Sequence, residues 1–373
     1  MLIPPIDWTP VYSIRERIER RTNRDFNQAI DDDRTVLGTR VSVGTTFKGK
    51  GFSGQLLYNY NQDNIYSRPG DKVETRSDLQ LGYVKFAGQL GDWTVGRQFI
   101  KKGNERLIGD APWPAVSVAW DGVRFQNRTW DAWATRLGAA NRASRQTNMA
   151  GAAYTSRAGE TMYFYRHGEG VDAHTLDHLF SQTKGKRTIS AEAAVQAGKR
   201  QGKDLEAWAV AARYTYRPDS KLSLAVEGAA ASGGSNQNRS YTFENALASN
   251  HPIYGLMDMQ SWKNTQILSL YATYKPSATL TLDLGYHRFG LRDAADAWYG
   301  SSGTVNGGLV DPAGRSGREV GQELDFQVAY NPTPKMGFLA GASVFNPGRF
   351  VRSIRGKNST DQTWLFAQVS FRF

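Results

Sequence analysis

Five arginines stand where they could act on a passing solute. Arg15, Arg17, Arg40 and Arg213 occupy the polar positions of extended, alternating segments, and Arg124 lies between the apolar residues Val123 and Phe125. A guanidinium is always charged, and its donor fork matches a carboxylate. If these segments wall a water-filled passage, rings of arginine would draw anions through it. The competing role is structural, with each arginine paired to a wall carboxylate. Glu19, Glu192, Glu227, Asp283, Glu323 and Asp325 are the candidate partners. A second group lies between residues 100 and 115: Lys101, Lys102, Arg106 and the turn Pro112-Trp113-Pro114. It could fold inward as a constriction, or stay out as a solvated loop. Arg349, Arg352, Arg355 and Lys357 in 347–361 could form a basic mouth, with contact to lipopolysaccharide phosphates slightly preferred.

Other chemistries are weakly supported. There is no Gly-x-Ser-x-Gly nucleophile elbow, and sequence order assembles no Ser-His-Asp triad. Ala231-Ser-Gly-Gly-Ser235 lacks the strand-to-helix context of a phosphate cradle. Asp31-Asp32-Asp33 could attract a hard cation, and His167, His174 and His178 a transition metal. A solvated acidic tip and unconnected histidines fit better, so no metal and no cofactor is expected. Tyr and Trp near strand ends fit interfacial girdles. Only Tyr271 and Phe289 are candidates for stacking on a sugar.

The elements that must carry these residues have a period of two. Trp208, Val210, Ala212, Tyr214 and Tyr216 alternate with Ala209, Ala211, Arg213 and Thr215. The final segment alternates Leu365, Ala367, Val369, Phe371 and Phe373 with Trp364, Phe366, Gln368, Ser370 and Arg372. Strands of this kind place one face on lipid and the other on a wet lumen. Short Gly-, Pro-, Asn- or Asp-bearing turns separate them, including Pro218-Asp-Ser220 and Lys275-Pro-Ser-Ala278. Longer connections fall near 22–33, 62–73, 100–115, 141–146, 167–172, 199–203, 233–262, 291–318 and 347–361. Eight short turns and nine loops predict 18 strands, with 16 as the fallback and 146–156, 161–166 and 173–182 as the least regular. The expected fold is all-β, a closed antiparallel transmembrane β-barrel spanning 1–373 as one domain. Residues 1–7 are expected to be a periplasmic N-terminal segment, left after removal of a signal.

Composition agrees. Mean hydropathy is −0.53, and no stretch supplies the roughly 20 apolar residues of a membrane helix. Barrel strands need none, because only alternate residues meet lipid. The net charge of +11 is scattered, with no basic helix or arm, which argues against nucleic acid and leaves anionic lipid or solute as partners. There is no cysteine, so disulfides and thiolate metal sites are excluded. An unpaired sheet edge cannot sit in hydrocarbon, and 16–18 strands enclose more space than their side chains fill. A channel follows from strand number.

Several segments resemble the alginate-export family of outer-membrane porins. They are Val95-Gly-Arg-Gln98, Gly103-Asn-Glu-Arg-Leu107, Trp120-Asp-Gly-Val-Arg124, Asn250-His-Pro-Ile-Tyr-Gly-Leu-Met-Asp258, Tyr286-His-Arg-Phe289, Tyr299-Gly300 and Gly317-Arg-Glu-Val-Gly-Gln-Glu-Leu-Asp325. They run in colinear order over most of the chain. The resemblance implies a monomeric barrel in a Gram-negative outer membrane. The best-known member exports alginate through an arginine-lined lumen. This chain lacks that member's long periplasmic plug, so a smaller, more constitutive porin is expected. The solute would be anionic: a uronate oligo- or polysaccharide such as alginate, or a small organic acid. The alternatives are a non-selective porin, a barrel enzyme, or a sheath that holds a periplasmic partner in its lumen.

Overall fold

In the computed structural model the alternating segments become a single antiparallel sheet that closes on itself. It describes residues 5–67, 70–138, 146–245, 248–251 and 253–373. The strands are β1 (Asp7–Thr22), β2 (Arg34–Gly49), β3 (Phe52–Ser67), β4 (Lys72–Phe86), β5 (Asp92–Gln98), β6 (Trp120–Gln126), β7 (Trp130–Leu137), β8 (Asn148–Ser156), β9 (Gly159–Gly168), β10 (Val171–Lys184), β11 (Arg187–Arg200), β12 (Lys203–Tyr216), β13 (Leu222–Ala231), β14 (Arg239–Ser240), β15 (Thr265–Tyr274), β16 (Leu280–Gly290), β17 (Glu319–Thr333), β18 (Met336–Pro347) and β19 (Gln362–Arg372). β14 is a two-residue piece of a loop, paired in parallel to β12 at Asp204 and Leu205. The other 18 form the barrel. β1 and β19 seal it, from Ser13↔Arg372 to Thr22↔Thr363.

The pleat separates two solvents. Along β12, Leu205, Ala207, Ala209 and Ala211 are buried inside, while Trp208, Val210 and Tyr214 stand exposed on the outer face. In β19, Trp364 and Phe366 are buried and Leu365 projects outward. Every barrel strand has a paired neighbour on both sides, so the sheet closes without an edge strand.

Two of the expected long loops are tight hairpins. β9 and β10 are joined by Glu169-Gly170, with φ of 57° and 72°. Gln201-Gly202 joins β11 and β12, with φ of 49° and 81°. Positive φ at both central residues matches the twist of the flanking strands. The polar residues read as loop at 167–172 and 199–203 are therefore strand ends. β3 and β4 likewise run to Ser67 and from Lys72 through the expected 62–73 loop, although 68 and 69 lie outside the described residues. So does most of the predicted 141–146 loop. At the N-terminus β1 starts at Asp7, and 1–4 are outside the described residues.

The long loops turn inward and carry a core of their own. Phe26 of the first loop packs on Trp298 of the eighth loop (291–318) at 5.7 Å and on Phe345 of β18 at 5.3 Å. Leu107 and Ile108 of the third loop (99–119), Trp262 of the seventh loop (232–264), and Phe350 and Val351 of the ninth loop (348–361) are buried with them. The last two sit on a short helix, α1 (Arg349–Arg355). A fully buried side chain of this size contributes about 1.5–3 kcal/mol, which offsets the ordering of long connections. Asp31-Asp32-Asp33 proves to be a capping element. The Asp32 carboxylate accepts the backbone N–H groups of Arg24 and Asp25, both at 2.7 Å.

Val210 lies midway along β12 on the lipid face, so Val210→Arg is expected to cost about 2–4 kcal/mol. Urea unfolding in lipid vesicles measures the cost. The lumen-facing Ser190→Thr should leave the midpoint in place.

Candidate functional site

The third loop is strapped across the lumen and fixed at both walls. On one wall Lys102 meets Asp131 at 3.2 Å and Glu160 at 2.7 Å. Arg106 meets Glu192 at 3.2 Å and Glu227 at 2.8 Å, and donates to the Tyr254 hydroxyl at 2.8 Å. Burial opposes the charge on Arg106, but Tyr254, Glu227 and Glu192 outweigh it and hold the guanidinium above its ordinary range. Lys101 stays within the loop, 2.9 Å from Asp110.

On the opposite wall the partners are backbone carbonyls. Arg17 donates to the carbonyl of Trp113 at 2.9 Å, and Arg15 to those of Pro112 and Trp113 at 3.3 and 3.4 Å. Arg40 donates to the carbonyls of Pro114 and Ala115. Arg15 and Arg17 share a face of β1 because they are two residues apart, and Arg15 is the cross-strand partner of Arg40. Like charges placed opposite each other repel, and the 112–115 carbonyls between them offset that repulsion. Trp113 completes the joint. Arg17 lies 4.0 Å over its ring, His251 stacks on it at 4.2 Å, and Phe366 meets it edge-on at 5.0 Å.

The remaining candidates divide by partner. Arg124 forms a two-pronged pair with Asp131 at 2.8 and 2.6 Å. Arg213 lies 4.2 Å over the Tyr271 ring and 3.7 Å from Glu227, with its side chain 38% exposed. Asp283 accepts from Thr273 at 2.7 Å, away from the strap. Glu323 and Asp325 accept the backbone N–H groups of Met257 and Leu256 at 2.9 and 3.1 Å. That contact requires glycine at 255, where φ is 92° and a Cβ would stand 2.4 Å from a Glu323 oxygen. Glu192, Glu227, Glu323 and Asp325 were expected to stiffen wall arginines. They mainly hold loops instead, because a folded-in loop brings more unsatisfied donors into the lumen than the wall does. Among the described wall arginines, only Arg17 with Glu19 at 2.7 Å and, more loosely, Arg213 with Glu227 pair with an expected carboxylate.

Tyr254, Trp262, His251 and Glu244 of the seventh loop were not recognised as lumenal from the sequence. The signal was there in the apolar side chains Met257, Met259 and Trp262, which a solvated loop would not carry together. Phe289 is buried under the loops, stacked 6.0 Å from Phe345, and offers no sugar platform. Arg355 of α1 donates to the carbonyls of Asp25 and Gly307, binding three loops together, while Arg349, Arg352 and Lys357 stay exposed. Ser269, His287 and Asp325 do line up, at 2.8 and 3.3 Å. All three are buried, and the serine meets Nδ1 of the imidazole, so the row has no access for a substrate. His174 and His178 face outward, bonded to Tyr163 and Thr161. Among the described residues no three His, Cys, Asp or Glu are placed to hold a metal.

Two cavities flank the strap. The larger, about 1170 Å³, runs beside Arg15, Arg40, Arg76, Asp78 and Trp113 and reaches Ser301 and Ser302 of the eighth loop. The smaller, about 600 Å³, lies under Arg106 and opens among Arg217, Lys221 and Lys275 at the periplasmic turns. The alginate export family matches residues 11–364. The chain belongs to that family. Among solved structures it is similar to three Pseudomonas aeruginosa outer-membrane proteins. OpdK with vanillate superposes with a TM-score of 0.65 at 12% identity, covering 98% of each chain. OpdQ gives 0.65 at 13%, covering 98% of this chain and 99% of the other. OprD gives 0.63 at 10%, covering 100% and 94%. No curated protein matches. This member of the alginate export family is therefore an outer-membrane barrel channel of the porin type, and not an enzyme.

Two outcomes test the strap. Arg106→Met leaves Glu192 and Glu227 buried without their cation, and should cost about 3–5 kcal/mol in vesicle unfolding. Adding Glu192→Gln and Glu227→Gln should recover part of that loss and leave a wider, noisier channel in single-channel records. The seventh loop should loosen in acid. Burial alone would raise the pKa of Glu244, but Lys263, Arg200 and Arg166 hold it below the ordinary 4.5. Its contribution is complete above that value and lost as pH falls through the lower folded value. Protease cleavage within 232–264 should therefore rise only below pH 4.5.

Proposed function

We propose that the barrel is a passive channel that favours small organic acid anions. The observation that carries this reading is the difference in partners among the arginines. Arg17, Arg106 and Arg124 face carboxylates, which cancel their charge. Arg15 and Arg40 are held by carbonyls and, for Arg40, by the Asn61 side chain, all neutral acceptors. Among the described residues neither makes a salt bridge. Neutral acceptors fix a guanidinium in place and leave its charge to act on the passage. Both side chains border the larger cavity beside the strap.

The third loop strapped across the lumen supports a small solute over a wide polymer. The vanillate held by OpdK is an organic acid of that scale. The family match supports a second reading, in which the solute is a uronate oligosaccharide threading the same arginines. The barrel is expected to work as a monomer in contact with outer-membrane lipid and lipopolysaccharide.

The test is the reversal potential of the purified protein in a planar bilayer under a KCl gradient. Anion preference is expected. Each of Arg15→Gln and Arg40→Gln should lower the anion-to-cation permeability ratio about five-fold, from about 1 kcal/mol of attraction per charge in a wet pore. Equal permeability in the unmodified protein would reduce it to a non-selective porin. Competition by vanillate against competition by a uronate trimer separates the two solutes.

A further inference from the structure

The smaller cavity has the form of a binding site and not of a passage. Its inner end is closed by Arg106, Glu192 and Glu227, whose side chains are 5%, 3% and 2% exposed. Beyond that seal the seventh loop fills the barrel. Gln196 of β11 donates to the Glu244 carbonyl at 2.9 Å, and Lys263 holds the Glu244 carboxylate at 2.8 Å. A solute entering from the periplasmic turns therefore meets a blind end.

The lining is cationic and rich in hydroxyls. Arg213, Arg217, Lys221 and Lys275 border it, together with Ser181, Thr188, Ser190, Thr215, Ser223 and Thr273. The carboxylates that share the cavity are already engaged. Glu192 and Glu227 serve Arg106, and Asp219 accepts the N–H groups of Lys221 and Leu222 at 2.7 and 2.9 Å to shape its turn. The cations are pre-positioned. Tyr271 supports the Arg213 guanidinium from one side at 4.2 Å, and Arg217 donates to the Thr188 hydroxyl at 3.1 Å. A hydrogen bond from the backbone N–H of Lys275 to the carbonyl of Lys221, 2.8 Å long, brings the two lysines to adjacent strand ends at the rim.

We propose that this recess binds a small polyanion from the periplasm, one with two or more carboxylates and hydroxyl groups. Among the described residues the lining cations Arg106, Arg213, Arg217, Lys221 and Lys275 exceed the carboxylates Glu192, Glu227 and Asp219 by two, which leaves charge for more than one anionic group, and a volume of about 600 Å³ exceeds what a single carboxylate fills. The serine and threonine hydroxyls supply donors and acceptors for the ligand's own hydroxyls. The site goes beyond the proposed function, since binding here does not depend on which ions the larger passage conducts.

Calorimetric titration of citrate into the full-length barrel in detergent at low salt tests the assignment. One site is expected, and acetate should bind at least about ten-fold more weakly. Arg213→Gln with Lys275→Gln should weaken citrate at least about ten-fold. Arg15→Gln with Arg40→Gln should leave citrate binding in place. Lys221→Gln at the exposed rim repeats the test without touching the packed wall, and the heat-dependent gel shift of a closed barrel confirms that each variant is folded. The assignment is overturned by an absence of citrate binding, by citrate binding no tighter than acetate, by equal affinity in the Arg213 and Lys221 variants, or by equal loss in the Arg15 pair. Citrate binding in a barrel with no anion preference would remove the proposed function and keep the recess. Anion preference without citrate binding would do the reverse.

Discussion

A buried guanidinium cannot be left without a counter-charge, and Arg106 sets the interior of this barrel through that requirement. It sits on a loop, so its partners must come from the wall, and Glu192 and Glu227 supply them from β11 and β13. Once Arg106 is in place, the third loop crosses the lumen. Tyr254 accepts a hydrogen bond from the same guanidinium and draws in the seventh loop, and Trp262 lies over it at 5.6 Å. The β10–β13 side is thereby closed at the level of Arg106, with only the smaller cavity left below it. Open space remains beside β1–β4, where the strap's far end is held by softer contacts to carbonyls.

The two walls use the same residue type for different ends. Facing carboxylates, an arginine is a rivet whose field is quenched nearby. Facing carbonyls, it is equally well oriented but keeps its net charge. A basic lumen is thus not uniformly attractive to anions, and the residues that matter are those whose partners are neutral. Arg15 and Arg40 are of this kind on the larger cavity, and Arg213 comes close on the smaller one, since its carboxylate is 3.7 Å away and shared with Arg106.

Strand number, closure and the inward face of each arginine were legible in the sequence because they depend on a period of two, a local property. The inward fold of 100–115 was legible as one of two options, from Lys101, Lys102, Arg106 and Trp113. The pairing of Arg106 with Glu192 and Glu227 was not, because it joins residues 86 and more positions apart and no pattern in the chain encodes which carboxylate faces which loop. The hairpins at Glu169-Gly170 and Gln201-Gly202 were missed for another reason. Near the membrane rim the outer face no longer needs apolar residues, so the strand ends at His167, Lys199 and Arg200 look like loop. Asn250 to Asp258 carried the family resemblance, and its cause is now visible. Gly255, Leu256 and Met257 are the segment that seats on Glu323 and Asp325.

The apolar core inside the extracellular mouth has a consequence for the order of assembly. Phe26 comes from the start of the chain, and Phe345 and Phe350 from near its end, yet they share one cluster. Contacts of such long sequence separation form only after the intervening chain is in place. The same two ends of the chain meet again in the seam between β1 and β19. Seam and aromatic cluster therefore hold one pair of chain ends at two levels of the barrel, and loosening either removes support from the other.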